Sequence, residues 1–466
     1  MSASDAFRAR VAKAVADRRV VQAVHLATWR KVSARQAGFA LLRNAEELRD
    51  LASQIKQHTL ENLPQYLEQF VTQVRRVGGQ IHWAKDAAAA RAIICDLARG
   101  YASHLAVKVK SMTTEEVDLN HALEAIGVRV VETDLGEFIV QIDHDRPSHI
   151  VTPIIHKDRR QIAAAMAREI GCEYTEDPTE LTKLARRYLR DIFRRCDLGI
   201  SGVNFGVAET GTICLCTNEG NGRMSTTRPR VHIALMGIEK VIPRMRDLAV
   251  FLKLLSRSST GQPMGSYTTL ITGPKRPADP DGPERLHVVL LDNGRADILR
   301  GPFAEVLKCI RCGACLNACP VYRNIGGHAY NSVYPGPIGS LVTPLLNADR
   351  RHDDLPRASS LCGACYVACP VKINIPDLLV KLRAATRARQ PWGKRAALRA
   401  WCWAMCSAST YRQGQRLMRT FLPDDGEGWT TRGVGPLGEW TATRDLPRPP
   451  SKSFRQLWEE GLADER

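Results

Sequence analysis

Apolar residues in the first part of the chain recur first at helical spacing and then at strand spacing. Leu63, Tyr66, Leu67, Phe70 and Val74 lie three or four positions apart, which predicts an amphipathic helix over 63–74 preceded by another over 45–55. Pro64 falls in the first turn of the second helix, where its missing N–H costs nothing. Short apolar runs at 80–83, 104–109, 128–132 and 138–141 then predict strands. Helices are predicted between them over 86–100 and 113–125, the latter opened by Thr113 and Glu116 in capping-box spacing. Such alternation implies an α/β fold with a mostly parallel sheet covered by helices.

The stretch 197–292 is dense in glycine and turn residues. Strands are expected at 205–208 and 212–217, joined at 209–211, and at 231–236, 266–272 and 286–291, with a loop over 274–283. The turn 217–223 would bring Asn218, Glu219, Asn221 and Arg223 to one loop, and His232 lies inside an apolar strand. None of these loop residues forms a G-x-G-x-x-G or P-loop match, so nucleotide binding there has no support. No apolar run reaches the length of a membrane span. Residues 1–45 are Arg-rich and amphipathic without a signal-peptide core, and Asp5 and Asp17 argue against a transit peptide; they read as docking helices.

Cysteine changes this picture most. Residues 309–320 read C-I-R-C-G-A-C-L-N-A-C-P, and 362–370 read C-G-A-C-Y-V-A-C-P. The first is C-x2-C-x2-C-x3-C-P, the ligand run of bacterial ferredoxins, whose fourth cysteine ligates the other cluster in two-cluster proteins. Crossing the ligands by that logic assigns Cys309, Cys312, Cys315 and Cys369 to one [4Fe–4S] cluster. Cys319, Cys362 and Cys365 go to a second, whose expected fourth position is Ser359. Ser359, a remote cysteine or a non-protein ligand fills that corner, or the cluster is a [3Fe–4S] one. Cys402 and Cys406, four apart on one helical face, are the weaker remote candidates. Gly313 and Gly363 are expected to let the backbone bend close to sulfur. Paired zinc knuckles fit a triple C-x2-C run followed by C-P poorly.

Seven of the 14 cysteines sit in these runs and the rest are scattered, which argues for metal binding in a cytoplasmic setting and against a disulfide scaffold. The net charge of +17, from 66 Lys+Arg and 49 Asp+Glu, raises nucleic acid or an anionic membrane as partners. The excess is concentrated in 378–423, which holds no Asp or Glu, and part of it can balance thiolate-ligated clusters. Trp392, Trp401, Trp403 and Phe421 lie in the basic segment 391–422, which suits docking on an acidic partner, or otherwise peripheral contact with the inner membrane surface. A nucleic-acid enzyme with a structural cluster is the remote alternative; no nuclease, helicase or polymerase motif supports it, and no nucleic-acid partner is expected.

The stretches A-E-T-G-T, T-N-E-G-N-G-R-M, P-R-V-H-I-A-L-M-G-I-E-K and Y-T-T-L-I-T-G-P resemble the lactate-utilisation (LUD) domain. With the two cysteine runs and G-V-G-P-L-G-E-W-T near the end, the chain resembles the iron–sulfur (B-type) subunits of bacterial L-lactate utilisation systems from about residue 50 onward. The resemblance implies a CoA-transferase-like (NagB/RpiA-like) α/β fold followed by a helical two-cluster ferredoxin-like module. It also implies L-lactate as the electron source, with a cysteine-rich-domain subunit and a smaller LUD-domain protein as partners. Relatives share the seven-cysteine pattern, so Ser359 is no departure. The expected organisation is a helical region at 1–75, the LUD-type domain at 76–295, the cluster module at 296–390 and a basic C-terminal segment at 391–466. The chain is expected to act as an electron-transfer subunit of a lactate dehydrogenase-type complex; another hydroxy acid or a heterodisulfide-type substrate is the alternative donor.

Catalytic candidates within the LUD-type domain are weak. Glu209, in a glycine-bounded turn after a strand, has the position of a base or nucleophile, and Arg223 that of a carboxylate clamp. Turn capping by Glu209 and Glu219, with Arg223 pairing to them, is the plainer expectation. Arg228 and Arg230 are further clamps or solvent-facing residues, His232 is expected in the core, and Cys214 and Cys216 as buried thiols. The segment 322–354 is expected to pack over the clusters, with His328, Tyr330 and Tyr334 in it.

Overall fold

The computed structural model describes residues 3–347, 350–390 and 392–422, and between 428 and 461 the stretches 428–431, 441–442, 444–447 and 450–461 with Gly433 and Gly438. Most of 433–441 therefore lies outside the described residues, as do Pro391 and the side chains of Lys394, Arg419 and Phe421. The chain divides into two compact units, Met1–Ala384 and Ala385–Arg466.

Ten strands build the first unit's α/β part: β1 (Gln80–Ala84), β2 (Leu105–Lys108), β3 (Arg129–Glu132), β4 (Leu198–Gly202), β5 (Phe205–Val207), β6 (Thr212–Thr217), β7 (Val231–Gly237), β8 (Val241–Ile242), β9 (Tyr267–Ile271) and β10 (Arg285–Leu291). Six form a sheet in the order β1-β10-β7-β4-β2-β3, every neighbouring pair parallel. The others form a four-stranded sheet, β8-β5-β6-β9, in which only β5 and β8 pair in parallel.

Strand β7 is buried along its whole length, as a central parallel strand covered on both faces must be. Its residues alternate between two cores. Ile233 and Leu235 join Ile94 and Ala98 of helix Ala87–Gly100 and Leu123 of helix Leu119–Glu124. Ala234 and Met236 face Phe70 and Val74 of helix Leu63–Arg76 and Ile213 of the second sheet.

Two local expectations are corrected. Residues 138–141 lie in helix Leu135–Ile142, because Asp134 accepts from the N–H groups of Gly136 and Glu137 and caps its start. A short buried apolar run has no period that separates strand from helix. The expected helix over 113–125 is two helices, Met112–Glu116 and Leu119–Glu124, broken at Asp118 with φ 53°. Its cap is Ser111, whose Oγ accepts from Thr114 N, and not Thr113.

The N-terminal helices dock within the chain itself. Arg10 Nε donates to Ala329 O at 3.0 Å, and Arg49 Nη2 donates to the carbonyls of Val367 and Cys369, both at 2.8 Å. The segment after Cys319 is helical over Pro320–Ile325 and Gly336–Leu346, and its Tyr322, Tyr330 and Tyr334 are buried in the same core as the cysteines. In the second unit the basic segment forms helices Trp392–Met405 and Ala408–Phe421, with Trp392, Trp401 and Trp403 exposed.

Candidate metal centre and the cavity beside it

The two cysteine runs share one backbone design. In each, the residue before the second cysteine position is left-handed (Arg311 at φ 62°, Leu361 at φ 57°), and so is the glycine after it (Gly313 at φ 75°, Gly363 at φ 82°). One short helix follows each turn, Ala314–Ala318 and Ala364–Ala368, and ends at Cys319 or Cys369. No protein atom within 4 Å would meet a Cβ at Gly363, so its left-handed φ alone asks for glycine there; at Gly313 a Cβ would also press on Val151 at 3.2 Å.

Backbone N–H groups point at sulfur throughout. Arg311 N donates to Cys309 Sγ at 3.4 Å, Tyr322 N to Cys319 Sγ at 3.5 Å and Ile373 N to Cys369 Sγ at 3.4 Å. Ser359 stands where Cys309 stands in the first run, and Leu361 N donates to its Oγ at 3.1 Å. The hydroxyl oxygen thus takes the hydrogen bond that the sulfur takes in the other loop.

Cys309, Cys312, Cys315 and Cys369 line one small cavity rimmed by Ile150, Ile310, Ile338 and Ile373. Burial, then the neighbouring thiols, pushes Cys312 up to about 12 and Cys315 well above the ordinary thiol value. Cys319, Cys362 and Cys365 form a second set whose members act on one another. Cys362 is exposed, and N–H donation from Ala364 with a hydrogen bond from Ser360 lowers it. Four bare thiolates could not share so apolar a cavity. Bound iron cations would supply the missing charge, and the N–H donors suit sulfur that stays ionised, so these residues fit an iron–sulfur cluster.

A second cavity of about 270 Å³ lies between the α/β sheets and the first cysteine loop. Lys110, Asn204, Thr217, Glu219 and Lys240 line it from the α/β side, and Arg311, Cys312 and Tyr334 from the cysteine side. Burial lowers Lys240 to about 8. Glu219 reaches the open mouth, where its Oε2 accepts from Leu135 N at 2.9 Å; loss of water, then Asp134, raises it to about 7.

Arg311 stacks over Tyr334 at 4.3 Å and lies 3.8 Å from Glu239. Glu239 pairs with buried Arg295 at 2.7 Å, and Arg295 with Glu116 at 2.8 Å. Burial opposes the Glu239 charge, but Arg295, Lys240 and Arg311 together hold it down at about 2.

Family models match three stretches: the LUD domain at 67–291, the 4Fe-4S dicluster domain at 305–373 and the lactate utilisation protein B C-terminal domain at 380–462. Lactate utilization protein B of Bacillus cytotoxicus is 44% identical over 97% of both chains, and that of Bacillus cereus (strain AH820) 43% identical over the same shares. The chain belongs to the lactate utilization protein B family. A crystal structure of a DUF162 family protein from Deinococcus radiodurans shares 15% identity, covering 49% of this chain and 98% of that one, at a TM-score of 0.28. At that score it carries no weight for the fold, which rests on the strand order itself.

Within this family member, the weak catalytic candidates do not converge. Glu209 is exposed, and its Oε2 accepts from Met245 N at 2.8 Å, capping helix Met245–Thr260. Arg223 is exposed on helix Asn221–Thr227, and neither residue lines the cavity. Arg230 pairs with Glu284 at the surface, 3.0 Å away. His232 is buried, with Nε2 2.8 Å from Ser201 Oγ, and burial lowers it to about 3. Cys214 is buried; Cys216, its Sγ 4.0 Å away, reaches the cavity wall.

His328 meets Asp145 and His156 with ligand atoms within 4.8 Å of one another, but Lys157 already pairs with Asp145 at 2.6 Å. Cys402 and Cys406 are exposed, with Sγ atoms 3.8 Å apart. The sequence reading missed Lys110, Lys240 and Arg311. Two of them stood in quoted motifs, but no periodicity marks a lysine or arginine as buried.

Proposed function

We propose that this chain is the iron–sulfur electron-transfer subunit of an L-lactate-oxidising system, passing electrons through two [4Fe–4S] clusters. Cys309, Cys312, Cys315 and Cys369 hold the first, and Cys319, Cys362 and Cys365 the second. The observation that carries this reading is the gathering of seven thiols into two sets, in a chain whose 44%-identical relative is named lactate utilization protein B. When bound, such a pair accepts one electron each, matching the two electrons released as L-lactate becomes pyruvate.

Ser359 is the fourth ligand of the second set in this reading. Its Oγ takes the backbone hydrogen bond from Leu361 that Cys309 Sγ takes from Arg311, which favours it over a remote cysteine. Buried Ile338 lines the cavity of the first set, and buried Tyr322 and Tyr330 stand beside Cys319 of the second. The chain works in the cytoplasm with a cysteine-rich-domain subunit and a smaller LUD-domain protein.

The test is to purify the full chain anaerobically with its co-purifying partners and add L-lactate, with dithionite as reference. Prompt bleaching of the visible iron–sulfur absorbance is expected. Bleaching by dithionite alone would overturn lactate as the donor, and absence of that absorbance after reconstitution would overturn the clusters. Ser359→Cys should keep the iron content and shift the second signal in electron paramagnetic resonance. A gain of one iron per chain would mean instead that the corner stands empty with serine.

A further inference from the structure

The 270 Å³ cavity is assembled from both parts of the first unit, yet the wiring above uses none of its α/β wall. Arg311, Thr217 and Asn221 are among its lining residues, and Arg311 Nη1, Thr217 Oγ1 and Asn221 Oδ1 are each buried without a hydrogen-bond partner among the described residues. Buried polar groups are nearly always satisfied, so three such atoms on residues around one cavity call for a polar ligand.

Two ends of the cavity differ in charge. Lys240 and Arg311 stand close enough to oppose each other, with Glu239 and the Cys309 thiol near them. Lys56 adds a further buried ammonium, lowered to about 7 by burial and then by Lys240. Glu239 is already paired with Arg295, so this end holds more positive than negative groups. Part of the excess faces the thiolates, but Lys240 and Arg311 also face the cavity. The other end carries Glu219 with Asp134 and Lys110, which can hold a hydroxyl or a carbonyl.

We propose that this cavity binds a small 2-hydroxy or 2-oxo carboxylate, with its carboxylate on Lys240 and Arg311 and its oxygen substituent toward Glu219, beside Cys312. Pockets for larger ligands run from ~300 to 1,000 Å³. A volume of about 270 Å³ has room for an acid of a few carbons. Arg311 and Cys312 line this cavity and the four-cysteine cavity alike, so an anion bound here adds negative charge next to the first metal set. Such charge disfavours reduction of that set.

The choice of a 2-hydroxy acid rests on the proposed lactate pathway; the anion site rests on the geometry alone. The probe is L-lactate, titrated calorimetrically into the anaerobically reconstituted full chain, with pyruvate and neutral lactamide alongside. The same additions are made to reduced protein while its electron paramagnetic resonance signal is recorded. L-Lactate and pyruvate should bind saturably at one site and perturb the signal, and lactamide should do neither. Lys240→Met should weaken binding about tenfold or more.

Thr217→Val keeps the side-chain shape and removes only an unpaired hydroxyl, so it should leave the thermal midpoint unchanged while weakening L-lactate. Equal binding of lactamide and L-lactate, or full affinity in both variants, would overturn the site. If pyruvate binds and L-lactate does not, the anion site stands and the lactate pathway falls. If neither acid binds while L-lactate still bleaches the clusters through partners, the site falls and the pathway stands.

Discussion

The two cysteine loops have the same turn, the same glycine and the same short helix, yet they live in different surroundings. The first is mostly buried, with Cys312 and Cys315 each 8% exposed, Cys309 half-buried and Arg311 locked between Tyr334 and Glu239. The second opens to solvent at Leu361, Cys362 and Tyr366. Local backbone geometry is therefore set by spacing and glycine, whereas the environment that tunes each metal set comes from what packs over it. The buried loop adjoins the cavity, and the exposed loop presents Cys362 to solvent.

Several changes would break or sharpen this contrast. Removing one thiol from each loop should have the largest and least equal effects. Cys315→Ala should lose about half the bound iron and lower the thermal midpoint, because a buried ligand also holds the core together. Cys362→Ala should cost iron only from the second set and leave the midpoint closer to that of the native chain. Equal destabilisation by the two would remove the contrast.

Arg295→Met comes next, since it takes from buried Glu239 and Glu116 the cation closest to each under the first loop. A loss of about 3–5 kcal/mol in chemical denaturation is expected. Glu219→Gln probes the cavity mouth. Its folded-state value, raised from 4.5 to about 7, means that the folded chain holds the proton longer than the unfolded one. The contribution to stability is complete below about 4.5 and is lost as pH rises through about 7. The variant should flatten that decline, by ~1 kcal/mol or less because the carboxyl reaches solvent. Glu209→Ala should be as small, costing about 0.5 kcal/mol through the cap on helix Met245–Thr260. It should not change cluster reduction by lactate; a loss there would return Glu209 to the chemistry.

Much of the fold was legible in advance. The strands around His232 and at 286–291 announce themselves by apolar runs interrupted only by a histidine, as buried parallel strands do. Residues 138–141 misled because four apolar positions fit either period, and the cap at Asp134 decided for a helix. The break at Asp118 was hidden because a non-glycine residue in the left-handed region leaves little trace in composition.

For the site, spacing alone grouped the cysteines, because a short loop with two-residue gaps can present its thiols in few ways. Sequence likewise marked Ser359 as the odd position and identified the family from long motifs. Only the tertiary structure showed that Ser359 Oγ shares the hydrogen-bond geometry of Cys309 Sγ, and that Glu209 caps a helix while Glu219 meets a cavity. It alone brought together Lys110, Lys240 and Arg311, which are remote in the chain. The physical reason is that ligand spacing and strand periodicity are properties of neighbouring residues. Burial of a charge, and the pocket it faces, depend on which distant segments pack around it.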